Sequence, residues 1–269
     1  MRNIAEIKLP HNLQMAYTSK FCYQHQCQYM LINNKELCTV CETEKLTQQL
    51  EREVANELIA RQTLAKYNML YKQSILQDKT LLDAGFKNYI VTGREETANK
   101  ERALNALKQF RKGEVFNIWF TGNTGVGKSH LAMALLRSLN EFDRHVTCLF
   151  ADVDEMLRRI RDSFQNRENK FTEKYVTDLL TSVDYLVLDD LGAETGDIDT
   201  EKRASDYTSR ILRGIINARQ NKSTIITTNL NRTKLEAMYD RKLVSRMMKN
   251  TYLIHFAETK DKRIRNIEF

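Results

Sequence analysis

The run Gly122-Asn123-Thr124-Gly125-Val126-Gly127-Lys128-Ser129 constrains this chain more than any other stretch of its 269 residues. It fits G-x-x-x-x-G-K-[ST], and it stands between an apolar run, VFNIWFTG, and a helical pattern beginning at Lys128. Glycines let such a loop curl so that successive backbone N–H groups point at phosphate oxygens. The helix that follows turns its positive end on the same charge. Lys128 is expected to reach the β and γ phosphates of a nucleotide and the Ser129 hydroxyl to ligate magnesium, with residues 122 through His130 supplying the contacts. A Gly-rich turn that happens to end in Lys-Ser is the bland alternative, and both flanks argue against it.

The text around this loop alternates. A helix from about Thr97 to Phe110 leads into a strand at 115–121; HVTCLFA (145–151), YLVLDD (185–190), STIITTN (223–229) and YLIHFA read as further strands, separated by helices at DEMLRRIRDSF, 201–219 and 232–249. Strands alternating with helices predict an α/β fold with a parallel five-stranded sheet flanked by helices on both faces. The third of these strands ends in two carboxylates, at the edge where parallel sheets bind ligands. Asp189 is expected to hold the magnesium and Asp190 to orient or deprotonate the attacking water. A solvated acidic turn is the other reading of that strand end taken alone. Asn229 closes the next strand, either as a group that holds the water near the γ phosphate or as a turn residue.

Ahead of this region the composition changes. Cys22-x4-Cys27 and Cys38-x2-Cys41 form two close pairs in a segment with no evident core of its own. Four thiolates in tetrahedral array suit structural zinc, and His25 can replace one sulfur; free buried thiols and iron–sulfur ligation are the alternatives. Cys148, alone on the second strand, reads as a core residue. Residues 43–80 carry Leu46, Leu50, Val54, Leu58 and Ile59 at helical spacing in a Glu/Lys/Gln-rich background, which predicts one long amphipathic helix suited to a partner helix or to the chain's own core. No signal-peptide pattern and no run of roughly 20 apolar residues is present, so a cytoplasmic location without membrane insertion is expected. The net charge of +7 suits an anionic partner such as nucleic acid without settling it.

The strings ADVDEMLRRIRDSF, SVDYLVLDDLGAET, STIITTNLNRTKLEAMYDRKLVSRM and YLIHFAETKDKRIR, spanning about residues 112 to 266, resemble AAA+ ATPases. They are most similar to the DnaC/DnaI-type replicative helicase loaders, a branch that also holds the IstB-type transposition ATPases. The resemblance implies a P-loop NTPase that hydrolyses ATP to ADP and phosphate with Mg2+. It implies a trans-acting arginine at Arg246, with Arg241 as second candidate, reaching a neighbouring copy's site through self-association. Near the domain's end it implies a γ-phosphate-sensing arginine at Arg263, with Arg265 less favoured. Initiators and loaders also carry a helical insertion that holds single-stranded DNA. Here that insertion contains Arg158, Arg159, Arg161, Phe164, Arg167 and Lys170, of which Arg158, Arg161 and Phe164 are the expected contacts; a solvated helix face with Phe164 in the core is the alternative.

On this reading residues 1–82 form a small zinc-binding and helical domain that grips a DnaB-family helicase. Residues 83–269 form the ATPase domain, with no room for a separate helical lid. The implied function is ATP-dependent loading of a replicative ring helicase onto single-stranded DNA during replication initiation. The alternative is a transposition ATPase on double-stranded DNA. Many AAA+ proteins have Asp-Glu where this chain has Asp189-Asp190, and the shorter side chain reduces the reach of Asp190.

Overall fold

A computed structural model describes residues 15–32, 34–166, 168–193 and 204–263. The chain divides into two compact units, Met1–Gln62 and Thr63–Phe269. In the first, strands β1 (Met15–Cys22), β2 (Cys27–Ile32) and β3 (Lys35–Leu37) form an antiparallel sheet in that order. The first hairpin closes on the pair Cys22↔Cys27, and Gln26 turns the chain in the left-handed region at φ +49°. Helix α1 (Thr39–Gln73) follows, with the division between units falling inside it. The expected long helix is therefore present, but Leu46, Leu50, Val54 and Leu58 are each more than half exposed, and Leu70 alone among its described residues is buried.

The second unit holds a parallel sheet in the order β5-β6-β7-β4-β8, built from β4 (Asn117–Gly122), β5 (Cys148–Asp152), β6 (Tyr185–Asp189), β7 (Ser223–Thr228) and β8 (Thr251–Phe256). Side chains alternate across it. Ile118 and Phe120 join the core beneath α2 (Arg94–Arg111) and α3 (Lys128–Phe142), whereas Trp119 joins the opposite core. That opposite layer contains α4 (Val153–Ser163), α5 (Glu173–Ser182), α6 (Asp206–Ala218), α7 (Arg232–Met238) and α8 (Arg241–Met247). Each fully buried Ile, Leu or Phe removes enough apolar area to contribute about 1.5–3 kcal/mol. Cys148 lies in the core beneath α2 and α3, fully buried. The units part after Gln62, ahead of the boundary expected at 82, because Leu70, Ile75 and Leu76 are buried in the second unit's core. The helix expected over 232–249 is two short ones, because Asp240 starts a new turn by accepting the Leu243 N–H.

β8 is an edge strand, and α2 covers its free side. Asn99 donates to the His255 carbonyl (2.8 Å) and Arg102 to that of Leu253 (2.6 Å), satisfying edge groups that would otherwise invite pairing with another chain. Elsewhere, the buried Arg219 guanidinium donates to the carbonyls of Leu180, Val183, Asp184 and Ser223 and to the Thr224 hydroxyl. It ties the end of α5 to the starts of β6 and β7. Burial lowers its pKa to about 10, leaving it charged at neutral pH. Arg219→Met strands these acceptors and is expected to destabilise the unit by roughly 3 kcal/mol in urea denaturation; a loss below about 1 kcal/mol would mean that the carbonyls find other donors.

Candidate nucleotide site and metal cluster

The loop between β4 and α3 owes its curl to Gly125 and Gly127, both left-handed at φ +78° and +97°. A Cβ at Gly125 would collide with the Asp261 carboxylate, and one at Gly127 would meet the ring of Tyr89 at 2.8 Å. Lys128 opens α3 almost fully buried and folds back, its Nζ donating to the carbonyls of Gly122 (2.8 Å) and Asn123 (2.7 Å). Burial lowers its pKa, while the charges of Asp190 and Asp189 act in the opposite sense. A lysine so placed is a desolvated cation at the mouth of an amide-lined loop, where a phosphate gains most from it.

Asp189 is buried at the end of β6. Its Oδ1 accepts the Thr227 hydroxyl (2.6 Å), and the same hydroxyl accepts the Asp190 N–H (2.9 Å). The nearby Ser129 hydroxyl favours the charged form of this carboxyl, as the Thr227 hydroxyl does. Burial first, and then the neighbouring Asp190 charge, push the Asp189 carboxyl up to about 7. Asp190 is exposed and left-handed at φ +52°. Asn229 lines a cavity of about 740 Å³ together with Gly122, Asn123 and His255. Lys128, Ser129, Asp189 and Asp190 thus converge, with Asn229 facing the start of the loop. The donor set fits a magnesium nucleotide: backbone amides and Lys128 for phosphate oxygens, Ser129 and Asp189 for a hard cation.

The other expected residues lie in different settings. The half-buried His130 imidazole is 3.0 Å from the Gly85 carbonyl and packs on Tyr89, so its side chain belongs to the 85–89 loop; burial lowers its pKa. Arg263 is exposed, its amide held by Asp261 Oδ1 (2.8 Å), and its charge is felt at Lys128. Arg265 lies outside the described residues. Arg246 sits on the exposed side of α8, donating to Asn217 (2.7 Å), and Arg241 is exposed at the start of that helix. Neither is among the described contacts of the chain's own phosphate loop.

The contacts that hold the segment carrying Arg263 in place left no sequence signal. Residues 257–263, after β8, lie against the phosphate loop, the Lys262 amide donating to the Gly125 carbonyl (3.0 Å). The Lys262 ammonium bonds the Ile90 carbonyl (2.6 Å), pairs with Glu96 (3.1 Å) and stands 4.0 Å from the Tyr89 ring centre. Glu95, in the first turn of α2, accepts the amides of Ala257 (2.7 Å), Glu258 (3.1 Å) and Thr259 (2.7 Å) and the Thr259 hydroxyl. Burial opposes ionisation of Glu95, but these bonds outweigh it and hold the carboxyl below its ordinary range.

In the first unit, Cys22, His25, Cys38 and Cys41 offer ligand atoms that all lie within 4.8 Å of one another. Zn–S bonds near 2.3 Å place tetrahedral sulfurs about 3.8 Å apart; Cys22 and Cys41 stand at 3.7 Å. The spacing predicts four thiolates, with His25 able to replace one sulfur, and the structure groups His25 with three of the thiols. Cys27, 3.4 Å from Cys38, stands outside the group. His25 Nδ1 faces the sulfurs and its Nε2 meets Glu44 at 3.1 Å, the second contact that fixes a ligating imidazole. The Cys41 N–H donates to Cys38 Sγ and leads the effects that lower that thiol to about 6, so a thiolate is available at neutral pH. The set fits zinc.

The family model described as IstB-like ATP binding protein matches residues 25–265. The chain belongs to that family. Replicative helicase loader DnaC of Escherichia coli K12 is 26% identical over 170 residues, covering 61% of this chain and 63% of DnaC, under two thirds of its length. A crystal structure of the DnaC helicase loader superposes with a TM-score of 0.54 at 26% identity, covering 67% of this chain and 100% of that one. The DnaI structure gives 0.55 at 21% identity, with 68% and 95% covered, a likeness of fold. The IstB-like assignment makes the chain a member of an ATP-binding family with the AAA+ fold. Among its described residues no helix is long and apolar enough to cross a membrane.

Between β5 and β6 of this IstB-like chain lie α4 and α5. Arg158 is engaged by Glu155 and Asp162, and Arg159 by Glu155 and the Phe171 ring. Arg167 lies outside the described residues, and Lys170 is exposed. Phe164 is 62% exposed, so the core alternative for it does not hold. It packs edge-on against Tyr207 of α6 (5.7 Å), beside Arg161, in a hollow of about 470 Å³. Arg210 stacks on the same Tyr207 ring. Tyr207 escaped the sequence reading because it lies on a different helix, and only the ring contact between the end of α4 and the start of α6 makes the pair.

Proposed function

We propose that this IstB-like protein is an ATP-hydrolysing loader that places a replicative ring helicase of the DnaB family on single-stranded DNA. The observation that carries the reading is the convergence of Lys128, Ser129, Asp189 and Asp190, in a chain similar to DnaC. Lys128 exchanges its two loop carbonyls for β and γ phosphate oxygens. Ser129 and Asp189 hold magnesium, which neutralises developing phosphate charge. Asp190 draws a proton from the attacking water, with Asn229 holding that water in line. Arg246, or Arg241, enters a neighbouring copy's site, where such an arginine contributes roughly 10³–10⁵ in rate. Cys22, His25, Cys38 and Cys41 hold zinc and order the unit that grips the helicase. Arg161, Arg210 and the Phe164–Tyr207 pair hold DNA, cations tracking phosphates and rings stacking bases.

The test mixes the full-length chain with a replicative ring helicase, ATP and circular single-stranded DNA, and reads strand unwinding and ATP hydrolysis. Single-stranded DNA is expected to stimulate hydrolysis. Phe164→Ala and Tyr207→Ala are each expected to weaken DNA binding roughly tenfold, since one stacked base contributes about 1–3 kcal/mol. Unwinding that never depends on this protein would remove the loader reading. A second reading follows from the family itself, a transposition ATPase coating double-stranded DNA. It wins if the protein ignores the helicase and its hydrolysis responds to duplex DNA alone.

A further inference from the structure

Glu95 does more than start a helix. It is the third contact in a row along one side of α2: Arg102 holds the Leu253 carbonyl, Asn99 the His255 carbonyl, and Glu95 the three consecutive amides of 257–259. Spacings of three and four residues put all three on one helix face. The row therefore follows the free edge of β8 beyond its last paired residue, Phe256, and into the segment that leads to Asp261, Lys262 and Arg263. Past Phe256 the sheet no longer dictates the backbone. What does so is the Glu95 carboxylate at 257–259, the Lys262–Glu96 pair, and the bond from the Lys262 amide to Gly125 in the phosphate loop. An ordinary capping role would have Glu95 engage backbone of its own helix start. Glu96 does that, accepting the amides of Thr92 and Gly93, which leaves Glu95 free for a strand edge some 160 positions away.

We infer that Glu95 is a positioning residue for the nucleotide site: by gripping residues 257–259 it fixes the strap 257–263 against Gly125 and so sets where Arg263 meets a γ phosphate. The inference rests on the ATPase reading above. A carboxylate accepting several amides is a strong and directional anchor. Arg263 has one described hydrogen bond of its own, from its amide to Asp261, so its placement depends on the strap. Glu95 acts through Arg263, hence its loss is felt by ligands that carry a γ phosphate.

The experiment measures ATP and ADP affinity, each with magnesium, for the full-length wild type, Glu95→Ala, Glu95→Gln, Arg263→Ala and the Glu95→Ala/Arg263→Ala double variant. Loss of one charged contact lowers affinity about tenfold or more. Glu95→Ala is therefore expected to weaken ATP by about tenfold and ADP by less than about twofold. Arg263→Ala is expected to do the same, and the double variant to be no worse than either single one. Glu95→Gln, which keeps the shape and one acceptor oxygen, is expected to fall between wild type and Glu95→Ala, and it stands in for Glu95→Ala if that variant does not fold. Equal weakening of ATP and ADP would make Glu95 a structural clamp and overturn the inference. So would additive losses in the double variant, or an Arg263→Ala protein with unchanged ATP affinity. In each of these outcomes the ATPase reading stands. Failure of the wild type to bind either nucleotide would sink both.

Discussion

Lys128→Ala protein is expected to lose ATP hydrolysis by at least about a hundredfold while keeping its fold. Two quantities set the size of the effect. The first is electrostatic: the ammonium is almost fully buried beside Asp189 and Asp190, and in a medium of lowered dielectric a phosphate loses far more by its removal than it would in water. The second is local: the Gly122 and Asn123 carbonyls lose a charged donor, a cost of about 1–3 kcal/mol that falls on the protein alone. Calorimetry with ATP and with ADP, run beside thermal denaturation, separates them. Nucleotide affinity and hydrolysis fall through the first, the melting temperature through the second. Hydrolysis within a few-fold of wild type would mean that the loop does not serve the chemistry assigned to it.

Cys38→Ser is expected to have the largest effect on folding. The unit of residues 15–62 has little apolar burial, Cys22 and Cys38 being its only described buried side chains, so a cross-linking ion supplies what a core does not. Structural zinc contributes on the order of 10–16 kcal/mol in modules of this size. The wild type is expected to carry about one zinc per chain by elemental analysis. Cys38→Ser and His25→Ala are expected to lose it and the ordered hairpin with it, whereas Cys27→Ser retains both. Retention in His25→Ala together with loss in Cys27→Ser would restore the four-thiolate set that the spacing alone suggests.

The sheet, its loop and its acids were legible because each is written in contiguous residues: one run of eight for the phosphates, one strand ending in Asp189-Asp190, a helix period between strands. What escaped was assembled from distant pieces. Glu95 and Thr259 are brought together by α2 lying on an edge strand, and Phe164 and Tyr207 by a ring contact between two helix ends, neither of which leaves a periodic trace. That His25 rather than Cys27 falls within reach of the other three ligand atoms depends on which way a four-residue turn points its side chains, and spacing is blind to that. The break at Tyr239-Asp240 was hidden because both halves, 232–238 and 241–247, follow a helical pattern and no glycine or proline marks the join. Along α1 the spacing suits either a partner helix or the chain's own core, and only the exposure of Leu46, Leu50, Val54 and Leu58 shows that the described core does not take them.

The left-handed backbone at Asp190 bears on why this chain carries Asp where many relatives of its fold carry Glu. Aspartate is among the few residues with a side chain that enter that conformation readily, whereas a longer, unbranched acid gains nothing there from local hydrogen bonding. The residue type and the bend after β6 are therefore linked: a Glu at 190 would have to enter the left-handed region without the local hydrogen bonding that favours Asp there.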